Sequence, residues 1–421
     1  MANYLSMTKG ELEREFDVVK AEFEKIKEQK LSLDMSRGKP AANQLDLSDG
    51  LLDNVGKDYK SENGTDCRNY GGLDGLPEVK KLFSELLEMP TENIICGGNS
   101  SLNLMFDTIT QGMVTGFGEG AWAAQGKIKF LCPSPGYDRH FGICEYYGIE
   151  MIPVKYNADG PDMDTVEQLV KDDAVKGMWC VPKYSNPLGL TYSDEVVRRI
   201  AALKPAAKDF RIMWDNAYII HDLYDESDRL LNIFDECKNK GNEDMVFIFT
   251  STSKITYSGA GVSAVAASDT NIKMLKARMT VQTIGPDKLT HLCHARMFAS
   301  KGELIAHMKR HADILRPKFE ACLDEFENSL GSLGIASWTS PRGGYFISMD
   351  VLQGCAKRIG QLCKEAGLVI TTPGATFPYG NDPDDSNLRI APSFPTAEEL
   401  KEAAKVLCTA VKYAALEKII G

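Results

Sequence analysis

The chain has 421 residues, of which 43% are apolar and 25% are charged, and its net charge is −11 with neutral histidines. This composition is that of a globular protein and excludes a disordered chain, a fibrous repeat and a coiled coil. The acidic balance argues against nucleic acid as a partner. No run approaches the 18 apolar residues of a membrane-spanning helix, so no membrane partner is expected.

The cysteines and the first residues indicate the compartment. The eleven cysteines are scattered and form no CxxC pair, and the N-terminal sequence is acidic without an apolar core. Neither pattern is typical of an exported, disulfide-bonded protein. We therefore expect reduced thiols and a cytoplasmic location. His291, Cys293 and His294 are too few for a metal site, and none is predicted.

The first predicted element is an amphipathic helix over residues 8–30. Its apolar residues recur at steps of four and three, which is the helical period. They are Leu12, Phe16, Val19, Phe23 and Ile26.

Seven short apolar runs follow, separated by helical stretches such as residues 193–204. Several runs have apolar residues on both faces, which is typical of strands in a parallel sheet covered by helices. The runs span residues 93–96, 128–132, 150–153, 176–181, 211–215, 246–251 and 262–267. We predict an α/β fold with a mostly parallel seven-stranded sheet, whose ligand lies beyond the carboxyl ends of the strands.

The pattern changes after about residue 290. A long helix is predicted over residues 301–329, short strands over 345–349 and 368–371, and a final helix over 396–417. These elements indicate a smaller α+β domain. We assign residues 52–315 to the large domain, and residues 1–51 with 316–421 to the small one.

The residues that follow the runs form a chemically coherent set. Gly97 and Gly98 lead into a helix that begins near Ser100, and a helix N-terminus of this kind can cradle a phosphate. The other strand ends supply an aromatic ring, an amide, a carboxylate, a phenol and an amine. They are Tyr137 (followed by His140), Asn186, Asp215, Tyr218 and Lys254.

This set matches the requirements of pyridoxal phosphate. The phosphate needs the helix N-terminus, the ring needs a flat aromatic face, and the ring nitrogen needs an anion. The aldehyde needs a lysine, whose amine forms a Schiff base most readily when burial lowers its pKa.

In these motifs and their order the sequence resembles the fold-type I pyridoxal-phosphate enzymes of the aspartate aminotransferase superfamily. It is most similar to the bacterial aspartate-aminotransferase branch related to MocR regulators, through residues 253–263 and 283–289. The resemblance implies an aminotransferase that moves an amino group between an L-amino acid, aspartate or glutamate, and a 2-keto acid. It implies that Lys254 binds the aldehyde and shuttles the proton, while Asp215, supported by His140, pairs with the ring nitrogen.

The resemblance also implies roles for the remaining residues. Asn186 and Tyr218 would bind the ring hydroxyl, and Tyr137 would stack on the ring. The phosphate would be held by Gly98, Asn99, Ser100, Ser251 and Ser253. Tyr70 resembles the tyrosine that reaches the phosphate of the neighbouring subunit, which implies a homodimer with active sites at the interface. Arg389 would bind the substrate α-carboxylate, and Gly38 would close over the substrate.

Two positions depart from the family pattern. Val262 stands where many relatives carry an arginine that grips the phosphate, and Leu188 stands where a threonine is common. No arginine is assigned to a substrate side-chain carboxylate, for which Arg37 and Lys183 are candidates.

Other functions share parts of these motifs. Ser251 and Lys254 also form the S-x-x-K string of serine β-lactamases, although their order relative to Tyr184-Ser185-Asn186 is reversed and no K-T-G follows. A MocR-type regulator would need a DNA-binding domain, and residues 1–35 are too few and too acidic for one. A transaminase for alanine or an aromatic amino acid, and a pyridoxal-phosphate lyase or decarboxylase, also remain open.

Overall fold

The computed structural model describes residues 3–421 of the chain. Its helices are α1 (Lys9–Glu28), α2 (Ala42–Leu45), α3 (Pro77–Leu87), α4 (Ser101–Val114), α5 (Asp138–Tyr147), α6 (Met163–Leu169), α7 (Asp194–Ala201), α8 (Ile233–Asn239), α9 (Asp269–Gln282), α10 (Lys288–Met297), α11 (Lys301–Leu330), α12 (Ala356–Glu365) and α13 (Ala397–Ile420). Its strands are β1 (Leu33–Asp34), β2 (Ile94–Cys96), β3 (Lys129–Pro133), β4 (Glu150–Val154), β5 (Tyr156–Asn157), β6 (Gly160–Pro161), β7 (Val175–Cys180), β8 (Arg211–Asp215), β9 (Val246–Ser251), β10 (Ser263–Ala267), β11 (Ala336–Trp338), β12 (Ile347–Val351), β13 (Leu368–Val369) and β14 (Asn387–Ile390).

The seven predicted runs form one seven-stranded sheet in the order β2-β10-β9-β8-β7-β3-β4. All neighbouring pairs are parallel except those that β10 makes with β2 and β9. The prediction of a mostly parallel α/β sheet is therefore confirmed. The sheet brings the carboxyl ends of β7, β8 and β9 side by side, which is where the candidate residues follow.

Both faces of this sheet are covered by apolar side chains. Alternate residues of each strand point to opposite faces, so Met178 and Ile212 join one buried cluster while Trp179 and Met213 join another. A third cluster lies among α1, α12, α13 and the sheet of β11, β12 and β14. The long helix α11 contributes its first half to one cluster and its second half to the third.

The helix predicted over residues 8–30 is α1. Its residues Leu12, Val19, Phe23 and Ile26 are buried, and Phe16 packs partly exposed against Tyr413 of α13. The helical period of the apolar residues thus predicted which face of α1 packs against the rest of the protein. Within the described residues, no helix is long and apolar enough to cross a membrane.

Several predicted boundaries differ from the structure by one to three residues, as three cases show. The helix predicted to reach residue 204 ends at Ala201, and the residue before Pro205 is disfavoured in a helix. The strand predicted over 368–371 ends at Val369, and beyond it the Thr371 hydroxyl donates a hydrogen bond to the Ser36 carbonyl. The strand predicted over 345–349 begins at Ile347.

Candidate functional site

A cavity of about 660 Å³ opens beyond the ends of β7, β8 and β9. Eleven predicted site residues line it, namely Gly38, Asn99, Ser100, Tyr137, Asn186, Asp215, Tyr218, Ser251, Ser253, Lys254 and Arg389. The two that do not are Gly98 and Tyr70. Gly98 is exposed and lines a neighbouring pocket, and its carbonyl accepts hydrogen bonds from the Ser263 amide and hydroxyl.

The carboxylate of Asp215 has one satisfied and one free oxygen. Its Oδ2 lies 3.0 Å from His140 Nε2, and the His140 ring stacks on Trp179 with centroids 4.2 Å apart. Among the described residues, Asp215 Oδ1 is buried without a hydrogen-bond partner. A buried, unpaired carboxylate oxygen is costly. It suits a ligand that brings a cationic N–H, such as a protonated pyridine.

Lys254 lies three residues beyond the end of β9 and faces the same cavity. Its Nζ is 5.1 Å from the centroid of the Tyr218 ring. Burial lowers the pKa of Lys254, and the charge of Asp215 partly opposes this shift. A lysine with a lowered pKa is neutral more often and can attack a carbonyl carbon.

The two phenols beside the lysine stay protonated. Burial raises the pKa of Tyr137 to about 12, with the charge of Asp215 adding to the shift. Burial likewise raises the pKa of Tyr218 well above its usual value. Both hydroxyls are therefore available as hydrogen-bond donors.

The predicted phosphate end is tied together by short hydrogen bonds. Ser100 caps α4 by accepting a bond from the Leu102 amide. Ser253 Oγ donates to the Asn99 carbonyl at 2.6 Å and lies 2.9 Å from Ser251 Oγ. The end of β9 is thereby held beside the N-terminus of α4, whose backbone amides can bind an anion. Val262 is fully buried in the core and supplies no cation.

Arg389, in β14, is held in a fixed orientation at the other end of the cavity. Its Nη1 is 3.3 Å from Asn186 Oδ1 and 3.3 Å from Asp138 Oδ1, and its Nε donates to Thr371 Oγ1. Its guanidinium carbon lies 4.9 Å from the centroid of the Phe346 ring. A guanidinium held in this way can donate two parallel hydrogen bonds to a carboxylate.

Gly38 lines the same cavity, next to the Phe346 ring. A Cβ at this position would lie 2.4 Å from Phe346 Cζ, so a larger residue would displace the ring. The neighbouring Arg37 lines the cavity and is exposed. Lys183, the other candidate for a side-chain carboxylate, lies outside it. Its Nζ pairs with Asp222 Oδ1 and donates to the Ile219 carbonyl, so this candidate was wrong.

Tyr70 lies outside the cavity of its own chain. Its side chain is 81% exposed, and the adjacent Gly71 carbonyl accepts a hydrogen bond from Lys288 Nζ. Val281 and Ile284, on the segment that precedes Lys288, are also exposed.

Several cavity residues were missed in the sequence. Trp179 supports His140, Asp138 and Thr371 bind Arg389, Phe346 packs on Arg389, and Arg139 lines the cavity. Asp138 and Arg139 follow Tyr137 directly, so the same strand end could have indicated them. The others become neighbours of the site only through long-range packing, which periodicity does not report.

Comparison with known proteins identifies the family. The sequence pattern of the family described as Aspartate amino-transferase matches residues 7–421. The chain is 46% identical to an aspartate aminotransferase of Corynebacterium glutamicum over 402 residues, which is 95% of this chain and 93% of that protein. It superimposes on the crystal structure of an aspartate transaminase from the same species with a TM-score of 0.97 and 44% identity, covering 99% of both chains.

The similarity to transcriptional regulators is limited. An uncharacterized HTH-type regulator of Bacillus subtilis is 32% identical over 81 residues, which is 19% of this chain. The matches that cover nearly the whole chain, in contrast, are to aminotransferases. The chain therefore belongs to the aspartate aminotransferase family and is an aminotransferase.

Proposed function

We propose that this aminotransferase binds pyridoxal phosphate in the cavity and transfers the amino group of L-aspartate or L-glutamate to a 2-keto acid. The observation that carries the proposal is the free, buried Oδ1 of Asp215 in the cavity that Lys254 faces. When bound, pyridoxal phosphate supplies an electron sink for the charge that develops when the substrate Cα loses its proton.

Each residue then has a specific task. Asp215 Oδ1 accepts the ring N–H, and His140 holds the other oxygen of the same carboxylate. Lys254 Nζ would hold the aldehyde carbon and, as a neutral amine, would accept the proton of the substrate Cα. Asn186 and Tyr218 orient the ring hydroxyl, and Tyr137 covers the ring. Asn99, Ser100, Ser251 and Ser253 would hold the phosphate, and the predicted contribution of Gly98 would come from the turn that leads to them.

The arginines of the cavity support a dicarboxylate substrate. Arg389 binds the α-carboxylate, with Gly38 closing over it. Arg37 and Arg139 also line the cavity, and neither forms an ion pair within residues 3–421. Two unpaired cations beyond the α-carboxylate site favour a substrate with a second carboxylate. The similarity to proteins named aspartate aminotransferase supports the same substrate class.

We also propose a homodimer in which Tyr70 reaches the partner's phosphate site. Tyr70, Val281 and Ile284 form an exposed, partly apolar surface beside Lys288, and such surfaces usually mark interfaces. Ile284→Asp should convert the dimer to monomers in light scattering and weaken cofactor retention. A dimer that persists with unchanged retention would contradict this interface.

The domain division and the location remain proposals. Residues 52–315 would form the large domain, and residues 1–51 with 316–421 the small one. The passage of α11 from one apolar cluster to another near its middle supports this division. The cytoplasmic location stays a prediction from the sequence.

A trapping experiment tests the cofactor assignment. Borohydride reduction of the protein loaded with pyridoxal phosphate, followed by peptide mass spectrometry, should place the label on Lys254. Lys318 is an internal control, because it is buried with a lowered pKa but bonds to the Ser393 carbonyl away from the cavity. Label on Lys318 or on no lysine would refute the assignment. Lys254→Ala should lose the label and turnover while remaining folded.

A further inference from the structure

The backbone that carries Lys254 rests on a buried polar cluster at α11. His307 Nε2 lies 2.8 Å from the carbonyl oxygen of Ile255, and His311 Nε2 lies 3.1 Å from His307 Nε2. Both rings are buried. They are four residues apart and therefore lie on one face of the helix. We call these two residues the histidine pair.

The protonation of the histidine pair follows from its neighbours. The Gln44 carbonyl oxygen Oε1 accepts a hydrogen bond from the Ala41 amide, which orients the side-chain amide. Gln44 Nε2 then donates to His311 Nδ1 at 3.2 Å and to the Tyr345 hydroxyl at 3.1 Å. Since His311 Nδ1 accepts, its proton is on Nε2.

His307 Nε2 donates its hydrogen bond to the Ile255 carbonyl, because a carbonyl oxygen can only accept. His311 packs against this ring, with the two Nε2 atoms 3.1 Å apart. Burial lowers the pKa of His311 to about 3 and also lowers that of His307, so both rings are neutral near pH 7.

The carbonyl of Lys254, one residue before Ile255, is also contacted by a buried side chain. The Tyr345 hydroxyl lies 3.5 Å from the carbonyl oxygen of Lys254, and its ring stacks on Tyr218. On the cavity side, Asp215 and Tyr218 face the Lys254 amine, while the buried His221 ring packs against Tyr218 and Tyr345. The backbone at Lys254 and Ile255 is thus contacted by buried side chains, whereas the Lys254 amine faces the cavity.

We propose that the histidine pair is a positioning device for Lys254. By holding the Ile255 carbonyl, it fixes the backbone from which the amine reaches a carbonyl carbon in the cavity, with Gln44 and Tyr345 fixing the orientation of the rings. The proposal rests on the proposed role of Lys254 as the residue that binds the aldehyde. Neither histidine touches the cavity, so neither is a catalytic residue.

Two substitutions of His307 separate the effect of its hydrogen-bond donor from the effect of its side-chain volume. His307→Leu removes the N–H, whereas His307→Gln keeps a donor of similar size. For each variant, hydrogen–deuterium exchange is followed in the apoenzyme over residues 251–258, and the absorbance change on mixing with pyridoxal phosphate measures the rate of attachment. Tyr192→Phe is a matched control, because its buried hydroxyl lies 3.3 Å from the Tyr156 hydroxyl and does not line the cavity.

We expect His307→Leu to exchange faster within residues 251–258 than elsewhere and to attach pyridoxal phosphate about tenfold more slowly, the effect of one lost buried hydrogen bond. His307→Gln should restore both properties, and Tyr192→Phe should change neither. Should His307→Leu fold poorly, Tyr345→Phe provides the second test, since it keeps the ring stack on Tyr218 and removes the acceptor for Gln44.

Two results would overturn the proposal. One is a wild-type attachment rate with unchanged local exchange in His307→Leu or Tyr345→Phe. The other is faster exchange spread evenly over the chain, which indicates a role in overall stability only. Failure of the proposed function is distinguishable, because wild-type protein would then not attach pyridoxal phosphate, whereas the exchange readout does not involve the cofactor.

Discussion

Asp215 presents one carboxylate oxygen to His140 and leaves the other for a ligand. His140 is in turn held by stacking on Trp179. This arrangement keeps the carboxylate rigid and keeps its free oxygen directed at the cavity. Asp215 therefore offers a ligand both a negative charge and a hydrogen-bond acceptor.

Asp215→Asn should test that charge. Loss of one partner of a buried ion pair costs about 3–5 kcal/mol, so we expect kcat to fall by about 150- to 5000-fold with the cofactor still attached. Asp209→Asn is the matched control, because Asp209 is also buried but pairs with Lys176 outside the cavity. An Asp215→Asn enzyme within threefold of the wild-type rate would contradict the role.

Arg37 and Arg139 should separate dicarboxylate from monocarboxylate substrates. A charge-assisted hydrogen bond is worth about 1.5–3 kcal/mol, so alanine substitution of the arginine that binds the second carboxylate should lower kcat/KM for L-aspartate by about 10- to 100-fold. The value for L-alanine should change little. Arg358→Ala, which breaks a surface pair with Glu417, is the control. Equal losses for both substrates in both variants would exclude this role.

At the scale of elements, α1 joins the body through one face, packed mainly on α13. Neighbouring valines on α1 show the difference between its faces, since Val19 is 2% exposed and Val18 is 62% exposed. The helix contributes to stability only through its buried face.

Val19→Ala should lower the free energy of unfolding by about 2 kcal/mol, because it removes buried methyl groups and leaves a cavity. Val18→Ala should change it by less than about 0.5 kcal/mol, since alanine is also the better helix former. Urea unfolding at one protein concentration measures both variants. Equal effects would mean that the burial of this face does not hold α1 in place.

The sequence was most informative where an element is long or buried on both faces. The seven sheet strands and α1 were predictable, because continuous apolar runs and the helical period leave few alternatives. The two-residue strand β1 was not, since it pairs with β13 across more than 300 residues, whereas β13 was predicted as a strand that reached residue 371. The same holds for the site, where Lys254 and Asp215 follow strands but His307, His311 and Gln44 meet only in the folded chain.

For the whole molecule, buried histidines should make stability depend on pH. Burial lowers the pKa of His294 to about 4 and that of His311 to about 3, and it also lowers those of His221, His291 and His307. An unfolded histidine titrates near pH 6.5. Between these values the unfolded chain binds more protons, so the stability present above pH 6.5 is lost as the pH falls.

We expect the free energy of unfolding of the apoenzyme to fall between pH 6.5 and 4.5, by up to about 1.4 kcal/mol per pH unit for each such histidine. Urea unfolding across this range measures the slope. His311→Gln should reduce the slope even though it lowers stability at pH 7.5. A free energy that is constant from pH 7.5 to 4.5 would contradict neutral burial of these rings.

The most direct test of the central claim, that Lys254 and Asp215 form a pyridoxal-phosphate site for amino transfer, is an absorption spectrum. The purified protein is recorded before and after addition of L-aspartate, L-glutamate or L-alanine without a keto acid. We predict a visible band of bound pyridoxal phosphate that L-aspartate or L-glutamate converts to the shorter-wavelength band of pyridoxamine phosphate. A protein without that band, even after incubation with pyridoxal phosphate, would contradict the account.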